Sequence, residues 1–188
     1  MRKGKEQTLG ELVRFKAGTN ASRIDADLRD RTYTSADLLG DLAQIEGESR
    51  LPIPPQPLET VRKGDIVLDL LSGKAAVATA ASCNRILRNT MARCDILGDV
   101  LDPWYLCYLF NESNELREAR EAGIVASSRF LTIAGLQKLI LYVPPIDRQE
   151  KIGKVYRDFC RLARLRQERE SLFGRIVLET IKRENGGI

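Results

Sequence analysis

The side chains with catalytic potential in this chain are carboxylates, lysines, tyrosines and cysteines, because its 188 residues include no histidine. Ser-His-Asp and Cys-His catalysis are therefore excluded, and so is an HExxH zinc site. The cysteines are scattered and form no CxxC pair, so we expect buried free thiols in a reducing compartment. These cysteines are Cys83, Cys94, Cys107 and Cys160.

Two carboxylates, Asp65 and Asp69, are available for a nuclease that uses an acidic cluster. Asp65 follows Gly64, however, and aspartate is a common turn residue at such a position. The sequence also lacks a glycine-rich loop for S-adenosylmethionine, an NPPY-type methylase tetrapeptide and a GxxxxGK[ST] loop. We therefore predict a protein with no catalytic residues, no metal site and no cofactor.

Composition indicates a globular chain, with 43% apolar and 30% charged residues. Its length suits one domain with an appendage. The first ten residues are charged and lack the apolar stretch of a signal peptide. The longest apolar runs, such as 66–71 and 139–143, are too short to span a bilayer. These features predict a cytoplasmic protein that is not associated with a membrane.

The positive charge is concentrated at one end of the chain. Residues 147–188 hold eleven Lys and Arg against seven Asp and Glu, whereas residues 1–146 hold nineteen of each. The whole net charge of +4 therefore lies in the C-terminal segment. If the N-terminal part binds nucleic acid, it must do so through a local basic face.

Residues 9–97 are predicted to be rich in short strands joined by turns, with one short helix that Ser35 caps and that continues to Ala43. The prolines between Leu51 and Pro57 predict an irregular extended loop. Ser72-Gly73-Lys74 is predicted to be the turn of a hairpin. The predicted strands are Leu9–Phe15 (a strand or a turn of structure), Arg31–Thr34, Ile66–Leu71, Ala75–Ala81, Arg85–Arg88 and Met91–Leu97.

The second half of the chain is predicted to be mainly helical. Asp102 followed by Pro103 is typical of a helix start, and a second helix should cover residues 113–122 and end at Gly123. Residues 139–143 form a predicted strand, and a capping box that begins at Asp147 is predicted to open a helix that extends to about Arg183. The predicted fold class is α+β, with a globular domain at 1–146 and a long helix at 147–188.

The long helix carries an apolar seam with spacings of three and four, a pattern typical of helices that pair with other helices. The seam is interrupted at Arg166 and Arg169 and then resumes. A helix packed along the domain core is the alternative, but about forty residues span roughly 60 Å, which exceeds a domain of this size. The predicted partner-interface residues are Ile152, Val155, Phe159, Leu162, Phe173 and Ile176.

Four segments together resemble the specificity (S) subunits of type I restriction–modification systems. These segments are Leu9-Gly-Glu-Leu12 with Gly18, Val61-Arg-Lys-Gly-Asp-Ile-Val67 with Ser72-Gly73, Leu101-Asp-Pro-Trp-Tyr-Leu-Cys-Tyr-Leu109, and Tyr142-Val-Pro-Pro-Ile-Asp-Arg-Gln-Glu-Lys-Ile152. Each motif is weak alone, but their order and the final helix make the resemblance fairly specific. Family members commonly carry two recognition domains and two helices, so this chain resembles half of an S subunit.

The resemblance implies that the globular part reads one half of a split sequence in double-stranded DNA. It also implies that the helix acts as a spacer and docks the methyltransferase (M) subunits, and through them the restriction (R) subunit. Two alternatives stay open: an interaction module that does not read DNA, and a regulatory half-subunit that competes for the M subunits.

The family does not fix its base-reading residues by motif, so these are predicted from chemistry. Lys, Arg, Asn and Ser at turns between apolar runs can contact phosphates or base edges. The predicted DNA-binding residues are Arg14, Lys16, Asn20, Arg23, Lys74, Arg85, Arg88, Ser127, Ser128 and Arg129. Trp104 and Tyr105 are assigned instead to the core.

We further expect the long helix to pair with a second copy of itself. The excess of arginine argues against a parallel pair, because like charges would lie side by side. An antiparallel pair places the basic start of one helix near Glu179 and Glu184 of the other. Such a homodimer has twofold symmetry and would read an inverted repeat with a nonspecific spacer.

Overall fold

The computed structural model describes residues 5–127 and 130–186, with only the backbone of Ser127. It contains short strands, helices and a 39-residue C-terminal helix, which confirms the predicted α+β class. The strands are β1 (Lys5–Thr8), β2 (Val13–Ala17), β3 (Ile66–Asp69), β4 (Ala75–Val77), β5 (Met91–Ile96), β6 (Ala126–Ser127), β7 (Phe130–Leu131) and β8 (Ile140–Val143). The helices are α1 (Leu9–Leu12), α2 (Ser35–Leu42), α3 (Pro103–Glu112), α4 (Asn114–Glu121), α5 (Ile133–Lys138) and α6 (Ile146–Glu184).

An antiparallel sheet with strand order β2-β5-β3-β4 forms the centre of the domain. The predicted hairpin between β3 and β4 is confirmed, although both strands are shorter than expected. Its turn needs Gly73, whose φ of 78° lies in the left-handed region that other residues rarely adopt. Two smaller sheets pair β1 with β8 and β6 with β7.

Helix α3 packs with one face of the sheet to form the main core. The predicted cap is confirmed, because Asp102 Oδ1 accepts a hydrogen bond from the Tyr105 amide at 2.7 Å. The apolar face of α3 is buried together with residues of β3 and β5. Tyr105 is buried and Trp104 partly buried in this core, as expected. A second cluster joins α2 to residues of β3, β4 and the segment before β3.

Three predicted strands differ from the structure. Leu9–Phe15 divides into the single turn α1 and the strand β2. Arg31 ends a 3-10 helix, and Thr32 makes only an isolated bridge to Ile86. Residues 85–88 do not form a strand. They make isolated bridges to three different segments of the chain, at Thr19, Thr32 and Thr60.

Helix α6 extends to Glu184 through Gly174, so its predicted length is confirmed. The predicted cap at Asp147 is wrong. The helix begins at Ile146, one residue before Asp147, with Pro145 as the N-cap residue. The Pro145 carbonyl accepts the amides of Arg148 and Gln149, which places exposed Asp147 inside the first turn without a capping bond. No helix within the described residues is both long enough and apolar enough to cross a membrane.

The two aspartates at helix starts should respond differently to substitution. Asp102→Ala is expected to lower the free energy of unfolding by about 1–2 kcal/mol, since it removes a capping bond. Asp147→Ala should lower it by no more than about 0.5 kcal/mol, because only a weak interaction with the helix dipole is lost. Urea unfolding of both variants measures the difference. An equal loss in the two would contradict the cap assignment.

Candidate nucleic-acid interface

The central sheet brings several turns to one of its ends. In the register of the sheet, Ala17 of β2 pairs with Ala92, Asp69 of β3 pairs with Met91, and Leu68 pairs with Ala75. The residues that follow β2 and β3 and precede β5 therefore lie together. We call this surface the loop edge; it comprises residues 18–20, 71–74 and 88–90.

Backbone hydrogen bonds hold the first and third of these turns together. The Thr19 amide donates to the Leu87 carbonyl at 2.7 Å, and the Asn89 amide donates to the Thr19 carbonyl at 2.9 Å. A Cβ on Gly18 would lie 2.3 Å from the Arg88 carbonyl oxygen. Only glycine permits so close an approach of the two backbones, so Gly18 determines the geometry of this part of the edge.

The turn at residues 71–74 is fixed by two side chains. Buried Asp69 accepts hydrogen bonds from the Leu71 amide at 2.9 Å and the Ser72 hydroxyl at 2.8 Å. From α4, the guanidinium of Arg120 donates to the carbonyls of Leu71 and Ser72 at 3.0 and 2.9 Å. The sequence offered no signal for Arg120, because its partners are backbone atoms 48 and 49 residues away.

The hairpin of β6 and β7 adjoins the same edge. The Leu131 amide donates to the Leu70 carbonyl at 2.8 Å, and the Leu70 amide donates to the Thr90 carbonyl at 2.9 Å. The predicted DNA-binding residues Ser128 and Arg129 lie outside the described residues, and for Ser127 only the backbone is described.

Three of the predicted DNA-binding residues, Asn20, Lys74 and Arg88, lie exposed on the loop edge. Arg23 is exposed in the short turn that follows Asn20. The side chains of Lys74 and Arg88 make neither a hydrogen bond nor an ion pair within the described part of the chain. Their charges are therefore available to an anionic ligand.

Three other predicted DNA-binding residues are not brought to the loop edge. Arg14 lies opposite Asp95 in the register of β2 and β5, three residues before the end of β2. Lys16 Nζ lies 2.5 Å from Glu59, which also faces Arg93 at 3.6 Å. Arg85 Nε lies 2.9 Å from Asp37. Intramolecular carboxylates thus offset the charges of Lys16 and Arg85.

The aspartates considered for catalysis are hydrogen-bonded within turns, and two of the four thiols are buried in the core. Asp69 fixes a turn, and Asp65 accepts the Arg62 amide at 2.8 Å while burial raises its pKa. Burial likewise raises the pKa of the Cys94 and Cys107 thiols, which disfavours the reactive thiolate. Within residues 5–127 and 130–186, no group of three or more acidic or thiol side chains could hold a metal ion.

Two side-chain amides, buried Gln149 of α6 and half-buried Asn111 of α3, attach the start of α6 to the domain. The Gln149 amide donates to the carbonyls of Val100 and Pro144 at 3.1 and 2.8 Å and accepts the Asp102 amide at 3.0 Å. Asn111 of α3 exchanges two hydrogen bonds with the Ala75 backbone. Its amide also donates to the Tyr156 hydroxyl at 2.8 Å. Asn111 therefore connects Tyr156 of α6 to Ala75, the first residue of β4, which directly follows the loop edge.

The predicted partner seam lies on a different side of α6 from the face that packs on the domain. Gln149, Gly153 and Tyr156 are buried against the domain, and Ile152 is half-buried. The other five seam residues are exposed, with exposed fractions from 53% to 70%. They are Val155, Phe159, Leu162, Phe173 and Ile176. A monomer would leave this apolar surface in water.

Solved structures with a similar fold include an HsdS subunit and a chain from the type I R-M system. The HsdS subunit from Thermoanaerobacter tengcongensis aligns with a TM-score of 0.54 and 19% identity, over 89% of this chain and 39% of its own. A chain from a structure on assembly and conformational transition of the type I R-M system aligns with a TM-score of 0.57 and 21% identity, over 92% of this chain and 43% of its own. No family model and no curated protein sequence matches the chain.

The chain thus has the fold of a type I specificity subunit, and the resemblance found in the sequence is confirmed at the level of fold. It spans about two fifths of the length of these two structures.

Proposed function

We propose that this chain is a half-length specificity subunit of a type I restriction–modification system. Its globular part reads one half of a bipartite target in double-stranded DNA, and α6 pairs with a second copy and docks the M subunits. The chain itself catalyses nothing in this scheme. The observation that supports the proposal most strongly is the fold likeness over nearly the whole chain, with a similar share of each specificity structure covered.

The loop edge is the proposed DNA-reading surface. It combines exposed cations, Lys74 and Arg88, with the exposed amide of Asn20 on turns that backbone hydrogen bonds fix in place. Such groups provide phosphate contacts and base readout. Ser127, Ser128 and Arg129 belong to the same proposal, because they precede Phe130 and Leu131 of β7 along the chain, and the Leu131 amide donates to the Leu70 carbonyl.

The exposed seam on α6 supports the proposed antiparallel homodimer. The start of α6 carries Arg148 and Lys151 beside Asp147 and Glu150, and its end carries Glu179 and Glu184 beside Lys182 and Arg183. Antiparallel pairing brings these opposite charges together and separates the two recognition domains. The dimer would thereby reproduce the arrangement of two domains and two helices that full-length relatives contain in one chain.

A salt titration of duplex binding tests the DNA-reading role. The full chain should lose affinity steeply between about 50 and 200 mM salt as counterions compete for the phosphates. The double variant Lys74→Ala, Arg88→Ala should bind at least about tenfold more weakly, with the slope of log K against log salt reduced by about 2. Fluorescence anisotropy with a labelled duplex measures both quantities.

Lys63→Ala is the matched control, because Lys63 is also exposed but precedes β3, at the opposite end of the sheet. It should bind as the unaltered chain does. If affinity in the double variant stays within twofold, the loop edge is not the interface. A shallow salt dependence of the unaltered chain would favour an interaction module that does not read DNA.

A further inference from the structure

Two large apolar side chains are exposed beside the loop edge. Leu71 and Phe130 are each 48% exposed. Each lies one residue from the hydrogen bond between the Leu131 amide and the Leu70 carbonyl, which places the two residues near one another. Their neighbours Leu70 and Leu131 are buried in the core, so the exposed pair is held on a rigid base.

The surroundings of this apolar pair are basic. A crevice of about 220 Å³ beside it is lined by Lys74, Arg117 and Arg120, with Glu112 as the acidic side chain. Arg120 also fixes the backbone of Leu71 through its bond to the Leu71 carbonyl. An apolar pair beside three cations and one carboxylate complements a ligand that combines negative charge with apolar groups.

Double-stranded DNA presents that combination in its major groove. Phosphates line the groove, and the C5-methyl group of thymine is the apolar feature by which a base pair is distinguished there. We propose that Leu71 and Phe130 contact thymine methyl groups, while Lys74 and Arg117 face the flanking phosphates. This inference rests on the proposed function and adds the class of base that this part of the loop edge reads.

Replacing thymidine by deoxyuridine in the duplex tests the proposed contact with the thymine methyl groups, because the change removes the methyl group and keeps base pairing. The full chain first selects its preferred duplex from a randomised library. Substitution of uracil for thymine in that duplex should weaken binding about fourfold for each methyl group that is buried. In the double variant Leu71→Ala, Phe130→Ala, the thymine and uracil duplexes should bind equally.

Ile140→Ala provides the control, since Ile140 is 63% exposed but lies on β8, paired with β1 and away from the loop edge. It should keep the full preference for thymine. Circular dichroism melting of each variant verifies folding, and Phe130→Leu should retain part of the preference because it keeps an apolar side chain.

Three results would overturn the inference while leaving the proposed function intact. They are a selected sequence without thymine, equal binding of the two duplexes by the unaltered chain, and a thymine preference that persists in the double variant. A chain that selects no sequence at all removes the proposed function, and the inference with it.

Discussion

Gly153→Ala is expected to lower the free energy of unfolding by about 3 kcal/mol, through a single added methyl group. Gly153 lies where α6 crosses the start of α3. A Cβ at this position would be 2.1 Å from Asp102 Oδ1 and 2.8 Å from the Tyr105 amide nitrogen. The added atom therefore displaces both the cap of α3 and the path of α6. Urea unfolding monitored by circular dichroism measures the loss.

Gly174→Ala makes the same chemical change in the same helix and serves as the control. Among the described residues, and apart from its chain neighbours and the backbone of its own helix, no atom lies within 4 Å of a Cβ at Gly174. Alanine is favoured over glycine in a helix by up to about 1 kcal/mol, so this variant should be unchanged or slightly more stable. If the two variants behaved alike, the close contact between α3 and α6 would be refuted.

Phe159→Asp is expected to convert a dimer into a monomer at micromolar concentration. Phe159 is 61% exposed on the proposed seam, and twofold symmetry would introduce the change twice in the interface. The loss of two buried aromatic side chains and the burial of two carboxylates should weaken association more than about 100-fold. Sedimentation equilibrium of the unaltered chain and the variant measures this difference.

Ile140→Asp is the matched control, because it places the same acid at an exposed apolar position outside α6. It should remain dimeric. A monomeric unaltered chain would contradict the proposed pairing, and so would a Phe159→Asp variant that stays dimeric.

Elements whose signals are local were predictable from the sequence. The cap and proline at Asp102 and Pro103 gave the start of α3, and the glycine turn at Gly73 gave the β3–β4 hairpin. The start of α6 was misplaced because a capping pattern at Asp147 competes with a tertiary constraint. Buried Gln149 bonds to residues almost fifty positions away, and no local pattern encodes that distance.

The candidate site was only partly predictable for the same reason. Turn residues with suitable chemistry could be found, but not which turns meet. Sheet register brings Asn20, Lys74 and Arg88 to one edge, while carboxylates distant in sequence, such as Glu59 and Asp37, pair with Lys16 and Arg85. The exposed side of α6 was predictable, since a seam with helical spacing lies on one face wherever the helix is placed.

Selection of duplexes from a randomised library by the full-length chain tests the central claim most directly. A twofold dimer of half-length specificity subunits should enrich an inverted repeat, with two short specific halves separated by a spacer of fixed length and random sequence. In the Phe159→Asp variant, the enrichment of paired half-sites should be lost. Failure of the unaltered chain to enrich any sequence, or enrichment of one uninterrupted site, would contradict the account.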